Sequence, residues 1–465
     1  MNIEKKQSFA ELQLKIELQE NLPTLGYTQM TPIQAMSLPF ILEGKDIIAQ
    51  AKTGSGKTAA FGLGILDKIE PKIFNTQALI LCPTRELAEQ VAAELRRLAR
   101  KIPNLKVLTI CGGSSEYYQQ KSLEHSSPII VGTPGRVLRL LKNEYIRLNQ
   151  VSHFVLDEAD RMLDMGFIDD IQTIMSFLPK KRQTLFFSAT FSDEVITLAQ
   201  SILHEPKRIQ VDEKHQEHVI KQHFIKVERH LDKDAALLAI LTHFKPESAV
   251  IFCKTREICA QTERFLNDHR YPALAIHGDM EQRQRTLVLT KFANRSCSIL
   301  AATDVAARGL DIKELQLVIN YDLPQDAKVY IHRIGRTGRA GKEGLALSLY
   351  VPQEHERLVE IENELKSPCQ FIEINSLIKA DDYKSMAQPE MGTILISGGK
   401  KDKLRPGDIL GALVKDGGLE GTDVGSIKIL PTVSFVAIKK DKLDQCFKKI
   451  RDLRIKSIKF KIEKA

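Results

Sequence analysis

Asp46-Ile47-Ile48-Ala49-Gln50-Ala51-Lys52-Thr53-Gly54-Ser55-Gly56-Lys57-Thr58 passes from an apolar run through a glycine-rich turn into a helical pattern. A strand feeding such a turn opens a βαβ unit, and the turn itself has the form of a phosphate-binding loop. Gly54 and Gly56 let backbone N–H groups close round phosphates, with Thr53 and Ser55 in the same cradle, and the helix start adds partial positive charge. Lys57 is then expected to reach the β/γ-phosphates of ATP, and the Thr58 hydroxyl to take Mg2+. Position 51 is Ala where the strict pattern has Gly.

Working outward, residues 78–82, 106–111, 128–133, 153–158 and 184–190 are short apolar runs with the look of buried parallel strands. Residues 87–100 and 135–143 have helical spacing between them, and strands alternating with helices make a doubly wound α/β sheet. The run at 153–158 ends in Asp157 and Glu158, which places two carboxylates at the carboxyl edge of the sheet. Asp157 is expected to hold Mg2+ through water, and Glu158 to orient and deprotonate an attacking water. A polar stretch, 204–218, reads as a linker before a second α/β series at 249–253, 273–278, 298–303, 315–321 and 345–350. After another break the tail changes rhythm: strand 393–399, helix 406–416, strands 425–430 and 433–440 about Pro431, helix 443–453, strand 456–463. That is a βαββαβ order. The expected division is 1–207, 208–380, a linker 381–390, and 391–465.

Composition narrows the class. The 465 residues exceed one compact core, and 43% hydrophobic with 27% charged residues excludes wholesale disorder, a collagen-like chain or a disulfide scaffold. No apolar run approaches the ~20 residues of a membrane span, and the charged N-terminus lacks a secretory core. Seven Cys without a CxxC pair read as reduced core thiols, so a cytoplasmic protein is expected. The net charge is +8, and residues 391–465 alone hold 17 Lys and Arg against 9 Asp and Glu. The rest of the chain is therefore neutral. Charge confined to one small domain is the footprint of a polyanion-binding tail, although charge alone leaves a merely solvated surface equally open.

Asp157-Glu158-Ala159-Asp160, with the loop at 51–58 and further ordered motifs, resembles the DEAD-box RNA helicases over residues 9–350. The resemblance implies two tandem RecA-like doubly wound parallel-sheet domains. It implies that Phe9, Tyr27 and Gln34 read adenine, Gln34 through its amide edge. Pro83, Arg85, Gly113, Thr133, Gly135 and Arg136 would bind the RNA backbone, and Ser188 and Thr190 would couple hydrolysis to domain movement. In the second series Arg285 and Thr303 would touch RNA, Asp304 the ribose, and Arg336 and Arg339 the γ-phosphate, with His332 in the coupling set.

The tail is similar to an RRM with a depleted stacking platform: Phe435 is the one aromatic at the RNP1 ring positions, and Leu395 stands where RNP2 places another. Phe435 reads equally well as core. Lys400, Lys401, Lys403 and Arg405, in a loop shaped by Gly and Pro, are the expected phosphate contacts. The stretches 398–413 and 424–429 resemble the tail of a bacterial DEAD-box subfamily that binds a hairpin of 23S ribosomal RNA. The implied protein is a monomeric, non-membrane, ATP- and Mg2+-dependent RNA helicase acting on pre-ribosomal particles of the large subunit. An ATP-gated RNA clamp that unwinds little, and a generic messenger-RNA helicase, share every core motif.

Overall fold

The computed structural model describes residues 8–51, 54–73, 75–113, 116–125, 127–211, 220–307, 315–338, 343–377, 389–450, 454–456 and 458–465. They fall into two compact units, the described residues through Val211 in one and those from Ile220 onward in the other.

The first unit is built on seven parallel strands: β1 (Ile47–Gln50), β2 (Ala78–Leu81), β3 (Val107–Ile110), β4 (Ile129–Gly132), β5 (His153–Asp157), β6 (Gln183–Ser188) and β7 (Lys207–Gln210). Their order is β3-β4-β2-β5-β6-β1-β7. Alternate residues of one strand feed two separate cores. Ala78 and Ile80 pack with the helix Lys57–Lys68, while Leu79 and Leu81 face Val137, Leu141 and Ile171. Burial on both faces is why these strands read as unbroken apolar runs. Phe9, Leu14, Leu18 and Leu22 pack into the first of these cores. The stretch expected to be linker contains β7. It pairs with β1 as an edge strand in which Ile209 is the one buried residue, so no apolar run announces it.

The second unit repeats the plan with β8 (Ile220–Lys226), β9 (Ala249–Cys253), β10 (Ala273–Ile276), β11 (Ile299–Thr303), β12 (Leu317–Asn320) and β13 (Gly344–Tyr350), all parallel, in the order β10-β11-β9-β12-β13-β8. β8, with the sequence IKQHFIK, is too polar to have been read as a strand. All seven Cys are buried free thiols.

The same unit carries a four-stranded antiparallel sheet of β14 (Met391–Ile396), β15 (Val424–Ile429), β16 (Ser434–Lys439) and β19 (Ile462–Lys464), in the order β15-β16-β14-β19. The helices Pro406–Lys415 and Lys440–Ile450 cover one face through Ile394, Ile396, Val436 and Ile438. The expected single strand 456–463 is instead a short hairpin, β17 (Arg454–Ile455) and β18 (Ile458–Lys459), followed by β19. Lys456 takes a positive φ of 52°, and the chain reverses there.

Successive strand residues point to opposite faces, so Thr393, Leu395, Phe435 and Lys428 lie on the other face of this sheet. Its centre is covered: Thr393, Leu395 and Phe435 are buried, while Lys428 on the edge strand is exposed. Thr393 Oγ1 accepts from Asn294 Nδ2 (2.9 Å) and donates to Ser296 Oγ (2.7 Å), Lys428 Nζ reaches Thr290 Oγ1 (3.4 Å), and Lys291 Nζ donates to the Ala465 carbonyl (3.1 Å). The end of the helix Gln282–Ala293 thus sits on the face where an RRM would stack bases, and Phe435 is 2% exposed.

Candidate functional site

The loop residues described, Gly54 to Thr58, leave β1 and enter the helix Lys57–Lys68. Gly56 has a φ of +94°, and a Cβ there would lie 2.5 Å from Gln34 Nε2, so conformation and space both call for glycine. Thr53 lies outside the described residues. Lys57 Nζ is 2.9 Å from Asp157 Oδ1 and 3.7 Å from Glu158 Oε1, with all three side chains almost fully buried. Burial disfavours the Lys57 charge, but Asp157 and Glu158 outweigh it and hold the ammonium above the usual lysine range. The same burial pushes Asp157 above the usual carboxylate range, against the pull of Lys57. Among the described residues, Asp157 Oδ2 and Ser55 Oγ are buried without a hydrogen-bond partner.

Glu158 stands just past the end of β5 in left-handed backbone (φ 57°, ψ 53°), and its Oε2 accepts from Arg161 Nη1 at 2.5 Å. Asp160, named in the motif but given no role from sequence, is a junction. Its Oδ2 accepts from Ala189 N (3.2 Å), Thr190 N (3.1 Å) and Thr190 Oγ1 (3.2 Å). Ser188 Oγ donates to the Thr190 carbonyl at 2.7 Å. β5 and β6 are neighbours in the sheet, which is what brings the two motifs into bonding distance.

The residues expected to read adenine are each engaged within the first unit. Gln34 Oε1 accepts from Thr31 N (2.8 Å) and Gln34 Nε2 donates to the Gly56 carbonyl (3.0 Å), tying this helix start to the loop. Phe9 is buried and meets Tyr27 edge-on at 5.6 Å. The Tyr27 hydroxyl donates to Glu94 Oε1 (2.7 Å), and burial together with that bond pushes its pKa up to about 12.

The sheet order sorts the remaining residues. Pro83 follows β2, Gly113 follows β3, and Thr133, Gly135 and Arg136 follow β4, so the RNA candidates line the carboxyl edge of β3, β4 and β2. The nucleotide candidates line β5, β6 and β1. Arg85 Nη1 donates to the Gly112 carbonyl (3.4 Å), while Arg136 is ion-paired to Glu116 (3.2 Å), which also holds Arg139 (3.2 Å). Glu116 had no signal in the sequence; only the fold brings it to Arg136.

In the second unit, Thr303 ends β11 and Asp304 follows it. Both Asp304 oxygens accept from Arg333, Nε to Oδ1 and Nη2 to Oδ2, each at 2.7 Å. Arg333 Nη1 also donates to Asn320 Oδ1 (3.0 Å) and to the Asp322 carbonyl (2.7 Å), and its guanidinium lies 5.0 Å from the Phe252 ring centre. His332 and Arg333 sit in the last turn of the helix Ala327–Ile334, and Arg336, buried, follows it. Arg285 bonds the carbonyls of His277 (3.5 Å) and Ala306 (3.4 Å). Arg339 lies outside the described residues. In the C-terminal domain Lys400, Lys401, Lys403 and Arg405 are all exposed, on a loop anchored by Lys400 N to the Leu430 carbonyl and Lys401 N to the Pro431 carbonyl, each 2.9 Å.

Residues 31–198 match the DEAD/DEAH box helicase family, residues 232–341 the helicase conserved C-terminal domain, and residues 393–464 the DbpA RNA binding domain. The chain is 47% identical over 438 residues to the ATP-dependent RNA helicase DbpA of Escherichia coli (strain K12), covering 94% of each protein. It is 45% identical over 363 residues to the ATP-dependent RNA helicase CshA of Listeria monocytogenes, covering 78% of this chain and 69% of that one. Among solved structures, S. cerevisiae Dbp5 bound to RNA and ADP BeF3 superposes with a TM-score of 0.72 at 31% identity, over 80% of this chain and 100% of that one. Two parallel α/β sheets with phosphate-loop and Asp-Glu-Ala-Asp geometry, a basic C-terminal domain and these likenesses agree: the chain belongs to the DEAD-box family of ATP-dependent RNA helicases.

Proposed function

We propose that this helicase is brought by its C-terminal domain to a hairpin of 23S ribosomal RNA and acts, as a cytoplasmic monomer, on pre-ribosomal particles of the large subunit. The observation that carries this reading is the C-terminal domain itself. It matches the DbpA RNA binding domain, holds the chain's whole charge excess, and presents Lys400, Lys401, Lys403 and Arg405 to solvent while the centre of its sheet face is covered. Phosphate contact from a shaped basic loop then takes the place of base stacking.

In the core the two helicase domains divide the chemistry, with the boundary moved from 207 to beyond β7, which pairs with β1. The 54–58 turn supplies backbone N–H groups to the phosphates and Lys57 its ammonium. Glu158 takes the proton of the attacking water, Arg336 and Arg339 meet charge at the γ-phosphate, and Asp304 holds the ribose. Asp160 carries the state of the site to Ser188 and Thr190, and Pro83, Arg85, Gly113, Thr133, Gly135, Arg136, Arg285 and Thr303 track the RNA backbone. Mg2+ fits this donor set: Asp157 offers a buried oxygen without a hydrogen-bond partner among the described residues, and Thr58 a hydroxyl, the hard ligands it prefers. When bound, it neutralises phosphate charge.

The test is steady-state ATPase of the full chain with large-subunit ribosomal RNA against unrelated RNA of equal length. A strong preference for the ribosomal RNA is expected, with loss of stimulated turnover in Lys57→Ala. Equal stimulation by both RNAs would reduce the tail to a general anchor. Absence of strand separation beside a bound hairpin would favour the clamp.

A further inference from the structure

Arg161 was given no role by the sequence, yet it is ion-paired to the Glu158 carboxylate in the interior. Its Nη1 donates to Glu158 Oε2 at 2.5 Å, with the two side chains 8% and 2% exposed. Lys57 approaches the other oxygen, Oε1, at 3.7 Å. Among the described residues a cation therefore stands at each oxygen, and Oε1 is the one that faces Lys57, where the phosphate-binding turn enters its helix. Glu158 also sits in left-handed backbone, a conformation that costs a non-glycine residue energy and persists where its surroundings over-determine it. Arg161 N donates to Asp160 Oδ1 (3.1 Å), and the other Asp160 oxygen is held by residues 189 and 190. The short helix Ala159–Asp164 thus has its first carboxylate and its first arginine both pinned.

An arginine buried against a single carboxylate is a costly way to fill space, because desolvating two charges offsets much of their attraction. What a guanidinium adds beyond packing is direction, since its planar N–H groups fix the plane of a carboxylate. We propose that Arg161 is a positioning residue for hydrolysis: it holds Glu158 Oε2 so that Oε1 is the oxygen that receives the proton of the attacking water. This rests on the assignment of Glu158 as the proton acceptor, and the test separates the two.

Single-turnover ATP hydrolysis by the full chain, saturated with ribosomal RNA, is measured for wild type, R161M, R161K, E158Q and the double variant E158Q/R161M. R161M is expected to slow hydrolysis at least about tenfold with the KM for ATP within about twofold of wild type, the split that marks an interaction felt in the transition state. R161K, which keeps a donor, recovers part of the loss. The decisive comparison is the double variant, because residues acting through one another are not additive. E158Q/R161M should hydrolyse at the rate of E158Q alone. If the two losses multiply, Arg161 acts independently of Glu158 and the proposal is overturned. If R161M hydrolyses at the wild-type rate, it is overturned as well. If E158Q itself keeps the wild-type rate, the assignment of Glu158 falls and the proposal with it. Should R161M fail to fold, R161K carries the same comparison: its deficit must vanish in the E158Q background.

Discussion

Arg136 is expected to meet an RNA phosphate, and in the structure it is already spoken for by Glu116, in a pair that is 13% and 22% exposed. RNA has to break that pair, so the carboxylate weakens binding by roughly the worth of a partly exposed ion pair, ~0.5–1 kcal/mol. Glu116→Gln should therefore tighten RNA binding about two- to fivefold, read by fluorescence anisotropy at fixed salt; unchanged or weaker binding would remove Arg136 from the RNA path. His153, at the start of β5, gives a second prediction. Burial, with a smaller push from Lys68, lowers its pKa from 6.5 to about 4. The unfolded chain then binds the extra proton first, so this contribution is complete above pH ~6.5 and is lost as pH falls toward 4. Urea midpoints at pH 7.5 and pH 5 should differ for wild type by an amount equivalent to up to about 2 kcal/mol, and His153→Gln should shrink that difference.

At the scale of elements, the basic loop depends on how closely its backbone approaches its neighbour. A Cβ on Gly399 would lie 2.2 Å from the Leu430 carbonyl oxygen, which is backbone and cannot swing aside. Gly399→Ala should displace the loop that carries Lys400 to Arg405. Loss of ribosomal RNA affinity with nucleotide binding intact is the expected result, measured by titrating each ligand separately. The helices and strands themselves were largely legible. Runs such as ALIL and HFVLD are buried on both faces and announce themselves, whereas β7 and β8, at sheet edges with polar residues exposed or only partly covered, carry no such pattern. The hairpin β17–β18 was hidden because its reversal is made by a lysine in positive φ, where the sequence shows no glycine.

At the scale of the molecule, the C-terminal sheet is fastened to the second helicase sheet's domain through Thr393, Asn294 and Ser296. Thr393 and Asn294 are nearly fully buried. Asn294→Ala would leave the Thr393 hydroxyl without its donor in a closed interface, at a cost of ~1–3 kcal/mol. Faster amide exchange in β14 and around residues 290–296, with β1 to β6 unchanged, is the expected signature; uniform exchange rates across variants would mean that the contact is slack. The same docking decides what Phe435 does. Its place on the strand allowed either core or base stacking, and covering of that face's centre by another domain makes it core.

The sequence by itself determined the fold class and the motif order, and it pointed to the chemistry proposed for Lys57, Asp157, Glu158 and the basic loop, because glycine turns, apolar runs and charge are local properties. It could not determine that Glu158 leans on Arg161, that Asp160 bridges to Thr190, that Glu116 covers Arg136, or what covers the second face of the last sheet. Those facts depend on which strands become neighbours and which surfaces meet. Strand order and domain docking are set by summed burial over residues far apart in the chain, so only the tertiary structure decides them.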